Sequence, residues 1–292
     1  MQQSLFEALK ARRPLAVVGV INAYCARLAQ QSGHRAIYLS GAGVANASFG
    51  LPDLGMTSLP DVVEDVRRIT GTTDLPLLVD ADTGWGDALG IARTTTQLYR
   101  AGAAGMHLED QVAAKRCGHR PDKQLVSCQQ MVDRIRSAVD ARPDERFMIM
   151  ARTDAAESEG SQGAMDRASA YVDAGADAIF AEALAEPLDF QTFTAALDVP
   201  VLANMTEFGK TPLMTLAELG ALGVSIVLYP LSAFRAMSQA ASNVYQAIEK
   251  HGTQKDMLSS MQTRESLYDV LEYYAFEDKL NKLSNVEKDS HD

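Results

Sequence analysis

No apolar run in this chain approaches the ~20 consecutive residues that a membrane helix needs. The stretch from Met1 to Arg13 lacks the apolar core of an export signal, so a cytoplasmic protein without membrane contact is expected. Cysteine is scarce. Three residues, Cys25, Cys117 and Cys128, cannot all pair, and their spacing fits neither a disulfide framework nor a zinc site, which points to a reducing compartment. Positive charge is also short: a formal net charge of -11 repels phosphate backbones and anionic lipid, which argues against nucleic acid as a partner. An anionic substrate would then need a local reversal of field, for which Lys115, Arg116, Arg152, Arg235 and Arg264 are candidates. Nicotinamide, flavin and phosphate-loop signatures are missing; Ser40-Gly41-Ala42-Gly43 offers backbone amides free of bulky side chains, which suits a carboxylate, but has no P-loop lysine.

What is present is apolar periodicity. Hydrophobic residues make up 47% of the 292, enough for a large core and too many for extended disorder. Eight short runs rich in Val, Ile and Leu alternate with longer stretches of helical spacing: Leu15 to Asn22, Ala36 to Ser40, Leu77 to Asp80, Gly105 to Glu109, Phe147 to Arg152, Ala178 to Glu182, Val201 to Asn204 and Val224 to Tyr229. That alternation predicts parallel strands joined by helices, and eight of them predict a (β/α)8 TIM-type barrel. A turn with glycine echoes four times before these runs, at Ser32-Gly33, Ala101-Gly102, Ala174-Gly175 and Leu219-Gly220, where the glycine suits the left-handed residue that ends a helix. Ser58 and Ser127 read as helix N-caps. The barrel is expected over residues 1–250, with Leu231 to Lys250 as its eighth helix and Phe234, Met237, Ala241, Val244, Tyr245 and Ile248 on one stripe. Residues 251–292 read as a C-terminal arm of the same domain, helical from Met257 to Leu280 and frayed after Leu283.

The last residues of the eight runs are Asn22, Ser40, Asp80, Glu109, Arg152, Glu182, Asn204 and Tyr229. In a barrel of this kind all strands end at one face, so these polar groups gather there as a site. Asp80 and Asp82, two apart, would project to one side in extended backbone and suit a hard cation such as Mg²⁺; a solvated aspartate-rich loop is the other reading. Neither Cys nor His adjoins them, which argues against zinc. His107 shares a face with Glu109 and reads most simply as a buried, hydrogen-bonded histidine. The loop Lys115-Arg116-Cys117-Gly118-His119 sets a thiol among three potential cations, which would favour the thiolate and let it exchange protons near neutral pH; an incidental thiol on a basic loop is the alternative. Cation, anion-binding groups and thiol together suit retro-aldol cleavage of a small polycarboxylate, with Cys117 protonating the departing carbanion.

At these residues the chain resembles the isocitrate lyase and phosphoenolpyruvate mutase superfamily. The resemblance is carried by Val79-Asp80-Ala81-Asp82, Lys115-Arg116-Cys117-Gly118-His119, Asn204-Met205-Thr206-Glu207, Gly50-Leu51-Pro52-Asp53-Leu54-Gly55, Tyr229-Pro230-Leu231-Ser232-Ala233-Phe234-Arg235 and Gln262-Thr263-Arg264. Within that superfamily it is similar to the branch that cleaves 2-methylisocitrate to pyruvate and succinate in propionate breakdown. The resemblance implies Mg²⁺ on Asp80 and Asp82, with Asp53 and Glu109 in its water shell. It implies substrate contacts from Ser40, Gly41, Ala42, Cys117, Gly118, Arg152, Glu182, Asn204, Met205, Thr206, Arg235 and Arg264. It makes Cys117 the acid, with Tyr38, Lys115 and His119 in the catalytic set. It further implies a homotetramer of paired subunits that exchange the terminal helix. Ala42 stands where the family often has Gly, and Trp85 where Phe is common. The competing readings are an isocitrate lyase, an oxaloacetate or phosphonopyruvate enzyme of the same superfamily, and a barrel that binds a carboxylate without catalysis. Arg116, with Phe180 and Leu228 as walls for an extra methyl, favours the methylated substrate, and Cys117 separates the chain from the second group.

Overall fold

Each of the eight apolar runs forms a parallel strand: β1 Leu15–Gly19, β2 Ile37–Leu39, β3 Leu77–Asp80, β4 Gly105–Glu109, β5 Met148–Thr153, β6 Ala178–Ala181, β7 Val201–Asn204 and β8 Ile226–Tyr229. They close into a barrel in sequence order, with β1 beside β8 in the register Leu15↔Ile226. The structure, a computed structural model, describes residues 3–116 and 122–289. It divides into two units, Met1–Phe234 and Arg235–Asp292.

Because side chains alternate along a strand, every strand buries one set inside the barrel and the other beneath the helices. The inner set contains Leu15, Val17, Tyr38, Leu78, Met148, Met150, Phe180, Leu202, Ile226 and Leu228. Ile37, Leu39, Leu77, Val79, Met106, Leu108, Ile149, Ile179, Val201 and Val227 pack outward in the larger cluster with the helices. The same parity carries Asp80, His107, Glu109, Arg152, Glu182 and Asn204 inward at the carboxyl ends, above an apolar floor. The opposite end is closed by the helix Leu5–Ala11, whose Leu5 and Leu9 belong to the inner cluster. Sequence periodicity did not single that helix out; its start is fixed by a capping box, in which Ser4 N–H donates to Glu7 and Glu7 N–H to the Ser4 hydroxyl.

Several boundaries differ from expectation for local reasons. β1 stops at Gly19, where an added Cβ would lie 1.7 Å from the Pro230 carbonyl oxygen, so the chain turns off early. Asn22 consequently caps the helix Ala23–Gln31, accepting from Cys25 N–H at 2.9 Å, and does not join the rim. Three of the four echoed glycines have positive φ, Gly33, Gly102 and Gly175, but in the fourth turn it is Gly223. Gly220 stays inside the helix Leu216–Ala221. Ser58 and Ser127 do cap the helices Leu59–Thr70 and Cys128–Asp140.

The second unit contains most of the helix Ser232–His251, a tight turn over Lys255–Ser260 and two further helices, Arg264–Leu271 and Tyr273–Asp289. The arm is therefore not one helix from Met257. Thr263 caps the first segment by accepting from Ser266 N–H, and Glu272, at φ 54, breaks the run before the second. Tyr268, Tyr273 and Tyr274 pack ring on ring at that corner, with 4.3 Å between the first two centroids. The last helix continues past Leu283 to Asp289 rather than fraying there. In Ser232–His251 no residue is buried, and Met237, Tyr245 and Ile248 of the apolar stripe are exposed.

Candidate active site

Asp80 ends β3, and its two oxygens are held from three directions. Gly41 N–H donates to Oδ2 at 3.0 Å, Tyr38 OH donates to the same oxygen at 3.3 Å, and Asp82 N–H donates to Oδ1 at 3.1 Å. Asp82 is not in extended backbone as the two-residue spacing assumed. Its φ is 47, the first of four positive values in the turn through Gly86. The turn, not strand parity, brings its carboxylate beside Asp80, and both leave room for Gly41 alone: a Cβ there would lie 2.8 Å from Asp82 Oδ1 and 3.3 Å from Asp80 Oδ2. Ser40 and Gly41 stand at the head of a short helical turn, Gly41–Gly43, so one of the loop's amides is already committed to Asp80.

Lys115 reaches from the β4 connection into this acidic group. Its Nζ lies 2.5 Å from Asp53 Oδ1 and 2.6 Å from Asp82 Oδ1, with the side chain buried. Lys115 of the thiol loop thus meets the acidic pair and spends its charge on those acids. Cys117, Gly118 and His119 lie outside the described residues. Arg116 is half exposed and paired with Asp122 at 3.6 Å.

Arg152 forms the other pole. Nε and Nη2 contact Asp154 at 2.9 and 3.1 Å, Nη2 also reaches Glu182 at 3.2 Å, and Nε approaches Glu109 at 3.5 Å. The guanidinium carbon sits 5.0 Å above the Phe180 ring. Burial opposes its charge, but the three carboxylates outweigh that and hold it firmly protonated. Asn204 donates to both Glu182 oxygens at 3.3 and 3.4 Å, leaving its own Oδ1 buried without a hydrogen-bond partner among the described residues. Met205 turns its side chain into the outer core, where Sδ accepts from Met214 N–H, so only its backbone borders the rim. Thr206 is half-buried just beyond. Ala42 is likewise half-buried after Gly41. Arg235 and Arg264 belong to the second unit, the first on Ser232–His251 and the second at the start of Arg264–Leu271.

His107 is the buried, hydrogen-bonded histidine that its place on the face of Glu109 suggested, and it also borders the acidic pair. It is fully buried, with Nε2 at 2.9 Å from Tyr38 OH and 3.5 Å from Asp80 Oδ1. Burial lowers its pKa to about 4, so it is neutral at neutral pH. Nδ1 has no partner among the described residues. A proton on Nε2 is the cheaper tautomer: it donates to Tyr38 OH, which donates on to Asp80, and only a lone pair is left bare. Burial, reinforced by Asp80, pushes the Tyr38 phenol well above its ordinary pKa and keeps it a neutral donor.

The acids divide by environment. Burial would raise Asp80, but the positive charge of Lys115 and Arg152 and the Gly41 N–H overcome it and leave it below the usual carboxylate range. Burial and the neighbouring Asp80 push Asp82 up to about 7 despite Lys115. Burial raises Glu109 well above its usual value even with Arg152 beside it. Lys115, held by Asp82, Asp80 and Glu109, is pushed upward and stays charged.

Among the described residues no three His, Cys, Asp or Glu side chains form a finished metal cage. The donor set nonetheless fits a hard divalent cation, which Mg²⁺ sites satisfy with one or two carboxylates and retained water. Among the described residues Asp82 Oδ1 and Glu109 Oε1 are buried without a hydrogen-bond partner, although the former has the Lys115 ammonium in close ionic contact. Buried carboxylate oxygens left this way are costly, and an added cation relieves them.

Residues 6–249 match the family model described as phosphoenolpyruvate phosphomutase. A 2-methylisocitrate lyase of Vibrio cholerae is 57% identical over 282 residues, covering 94% of this chain and 92% of that protein. A crystal structure of 2,3-dimethylmalate lyase, a member of the PEP mutase/isocitrate lyase superfamily, is 33% identical with a TM-score of 0.87, covering 95% of this chain and 94% of that one. A phosphonopyruvate hydrolase in complex with oxalate and Mg²⁺ is 28% identical with a TM-score of 0.81, covering 93% and 94%. Identity of that extent, on this barrel and this rim, makes the chain a member of the 2-methylisocitrate lyase family within the PEP mutase/isocitrate lyase superfamily.

Proposed function

We propose that the protein is a carbon–carbon lyase that cleaves 2-methylisocitrate to pyruvate and succinate in the methylcitrate route of propionate breakdown, with Mg²⁺ as cofactor. The observation that carries this reading is the gathering of the buried acids Asp80, Asp82 and Glu109, the last with Oε1 lacking a hydrogen-bond partner among the described residues, with a fixed guanidinium at Arg152 on the same rim. Such a site suits a ligand that brings carboxylates together with a divalent cation. The magnesium-bound phosphonopyruvate hydrolase supports that choice of metal.

Asp80 and Asp82 would hold the ion, with Asp53 and Glu109 next to it. Bound there, Mg²⁺ supplies the charge that polarises the substrate's hydroxyl and carboxylate oxygens. Cleavage removes the hydroxyl proton, breaks the C–C bond to leave a carbonyl in pyruvate, and places the electron pair on the carbon next to the other fragment's carboxylate. Arg152 is set to bind a carboxylate, and Ser40, Gly41, Ala42, Glu182, Asn204 and Thr206 surround the same rim. Tyr38, a neutral phenol, would turn its one proton from Asp80 to developing negative charge. We assign the proton for the succinate carbon to Cys117. Phe180 and Leu228, both in the inner layer, would wall the extra methyl.

The test is pyruvate release from 2-methylisocitrate measured beside glyoxylate release from isocitrate. A far higher kcat/KM for the methylated substrate is expected, and equal values would defeat the assignment. Activity should vanish with EDTA and return with Mg²⁺; full activity after rigorous chelation would remove the metal. We further propose a homotetramer of helix-exchanging pairs. The second unit leaves Tyr245, Phe276, Leu280 and Leu283 exposed, an apolar set that suits a partner copy. Light scattering that returned a monomer would refute it.

A further inference from the structure

Arg152 owes its orientation to a residue with no place in the chemistry above. Asp154 takes Nε and Nη2 of the guanidinium side by side, the fork-on-fork contact that fixes a plane as well as a charge. None of the described ion pairs of Arg152 uses Nη1, which remains the nitrogen available to a ligand. Asp154 is itself fixed. Its backbone N–H donates to Asp110 Oδ1 at 2.9 Å, and its Oδ1 accepts from Lys123 Nζ at 3.0 Å.

Lys123 is the more telling partner. Its side chain is 3% exposed and that of Asp154 0%, and an ammonium is seldom buried so deeply without a task. Glu109, Asp154 and Glu182 crowd one guanidinium, so the surroundings of Arg152 are negative before any ligand arrives. Lys123 shares Asp154 Oδ1 with Nη2 of Arg152, and this second cation offsets that excess through the shared carboxylate. It lets Asp154 hold Arg152 rigidly while the pole still attracts an anion.

We propose that Asp154 and Lys123 are positioning residues for Arg152, the first setting the plane of its guanidinium and the second restoring positive charge around it. The proposal rests on the lyase reading, since Arg152 is taken to bind a substrate carboxylate. It is tested by a double-mutant cycle with Arg152→Gln, using kcat and KM on 2-methylisocitrate. Asp154→Asn alone should lower kcat/KM about 100-fold, chiefly through KM, and should lower it less than about 3-fold further in the Arg152→Gln background, because it acts through that arginine. Lys123→Met should raise KM about 10-fold, with Lys123→Arg recovering most of the loss. A loss from Asp154→Asn that persists undiminished beside Arg152→Gln, or that falls on kcat with KM unchanged, would overturn it. If Asp154→Asn does not fold, as read by circular dichroism, the Lys123→Met cycle decides by the same criterion. A wild type silent on 2-methylisocitrate sinks the lyase reading alone; the cycle is then read by calorimetric titration with oxalate and Mg²⁺.

Discussion

Replacing Asp110 by alanine isolates the buried network that supports the rim from behind. Asp110 is fully buried directly after β4. Its Oδ2 accepts from Thr153 Oγ1 at 2.8 Å and Tyr171 OH at 2.9 Å, its Oδ1 accepts from Asp154 N–H at 2.9 Å, and Arg167 lies 3.5 Å away. Alanine leaves three donors without that acceptor. Each orphan costs about 1–3 kcal/mol, less what relaxation recovers, and Arg167 keeps its bidentate contact with Glu159. The total should then fall near the ~3–5 kcal/mol typical of removing one member of a buried charged set. For a chain of this size roughly 2–4 °C accompanies each kcal/mol, so the melting temperature should drop by about 6–20 °C. Asp110→Asn keeps the acceptor for Asp154 N–H, and both hydroxyls can turn to accept, so about 1–2 kcal/mol is expected. The assay is thermal unfolding followed by far-ultraviolet circular dichroism at matched protein concentration, since assembly shifts apparent stability. A shift below about 2 °C for alanine, or one no larger than for asparagine, would show that the carboxylate is not carrying these bonds.

With Asp82 pushed up to about 7, a divalent cation must displace its proton in mildly acidic solution, so Mn²⁺ or Mg²⁺ affinity should rise about 10-fold from pH 6 to pH 8. The sign follows because the protonated form below pH 7 lacks the ligand charge; calorimetric affinities flat or falling with pH would contradict it. Gly41→Ala places a methyl against both Asp80 and Asp82 and should weaken Mn²⁺ binding roughly 10–100-fold with little change in melting temperature. Unchanged affinity by electron paramagnetic resonance would mean the two carboxylates are not the ligands. Cys117→Ser should keep Mg²⁺ binding and lose about 10²–10⁴-fold in kcat; an unchanged kcat would take the thiol out of the reaction.

The barrel was legible because burial on both faces demands continuous Val, Ile and Leu runs, and eight of them with glycine-marked helix ends leave few other arrangements. Most rim residues followed from parity: Asp80, Glu109 and Asn204 each end a strand on its inner face, Arg152 stands one residue before the end of β5, and Glu182 follows β6 on the same face. Where local backbone departed from the regular period, the reading failed. Asn22 became a helix cap once Gly19 turned the chain away, and Asp82 came beside Asp80 through a positive-φ turn rather than an extended strand. The arm broke at Glu272 for want of any glycine or proline to announce it.

Sequence alone determined the architecture, the family and the acidic pair, because these rest on periodicity and on short motifs whose members are neighbours along the chain. Only the tertiary structure decided that His107 joins Tyr38 and Asp80, that Lys115 is spent on Asp53 and Asp82, and that Asp110, Asp154 and Lys123 stand behind Arg152. Those contacts join residues from different strands and loops, and no local pattern encodes a distance that exists only after the barrel has closed.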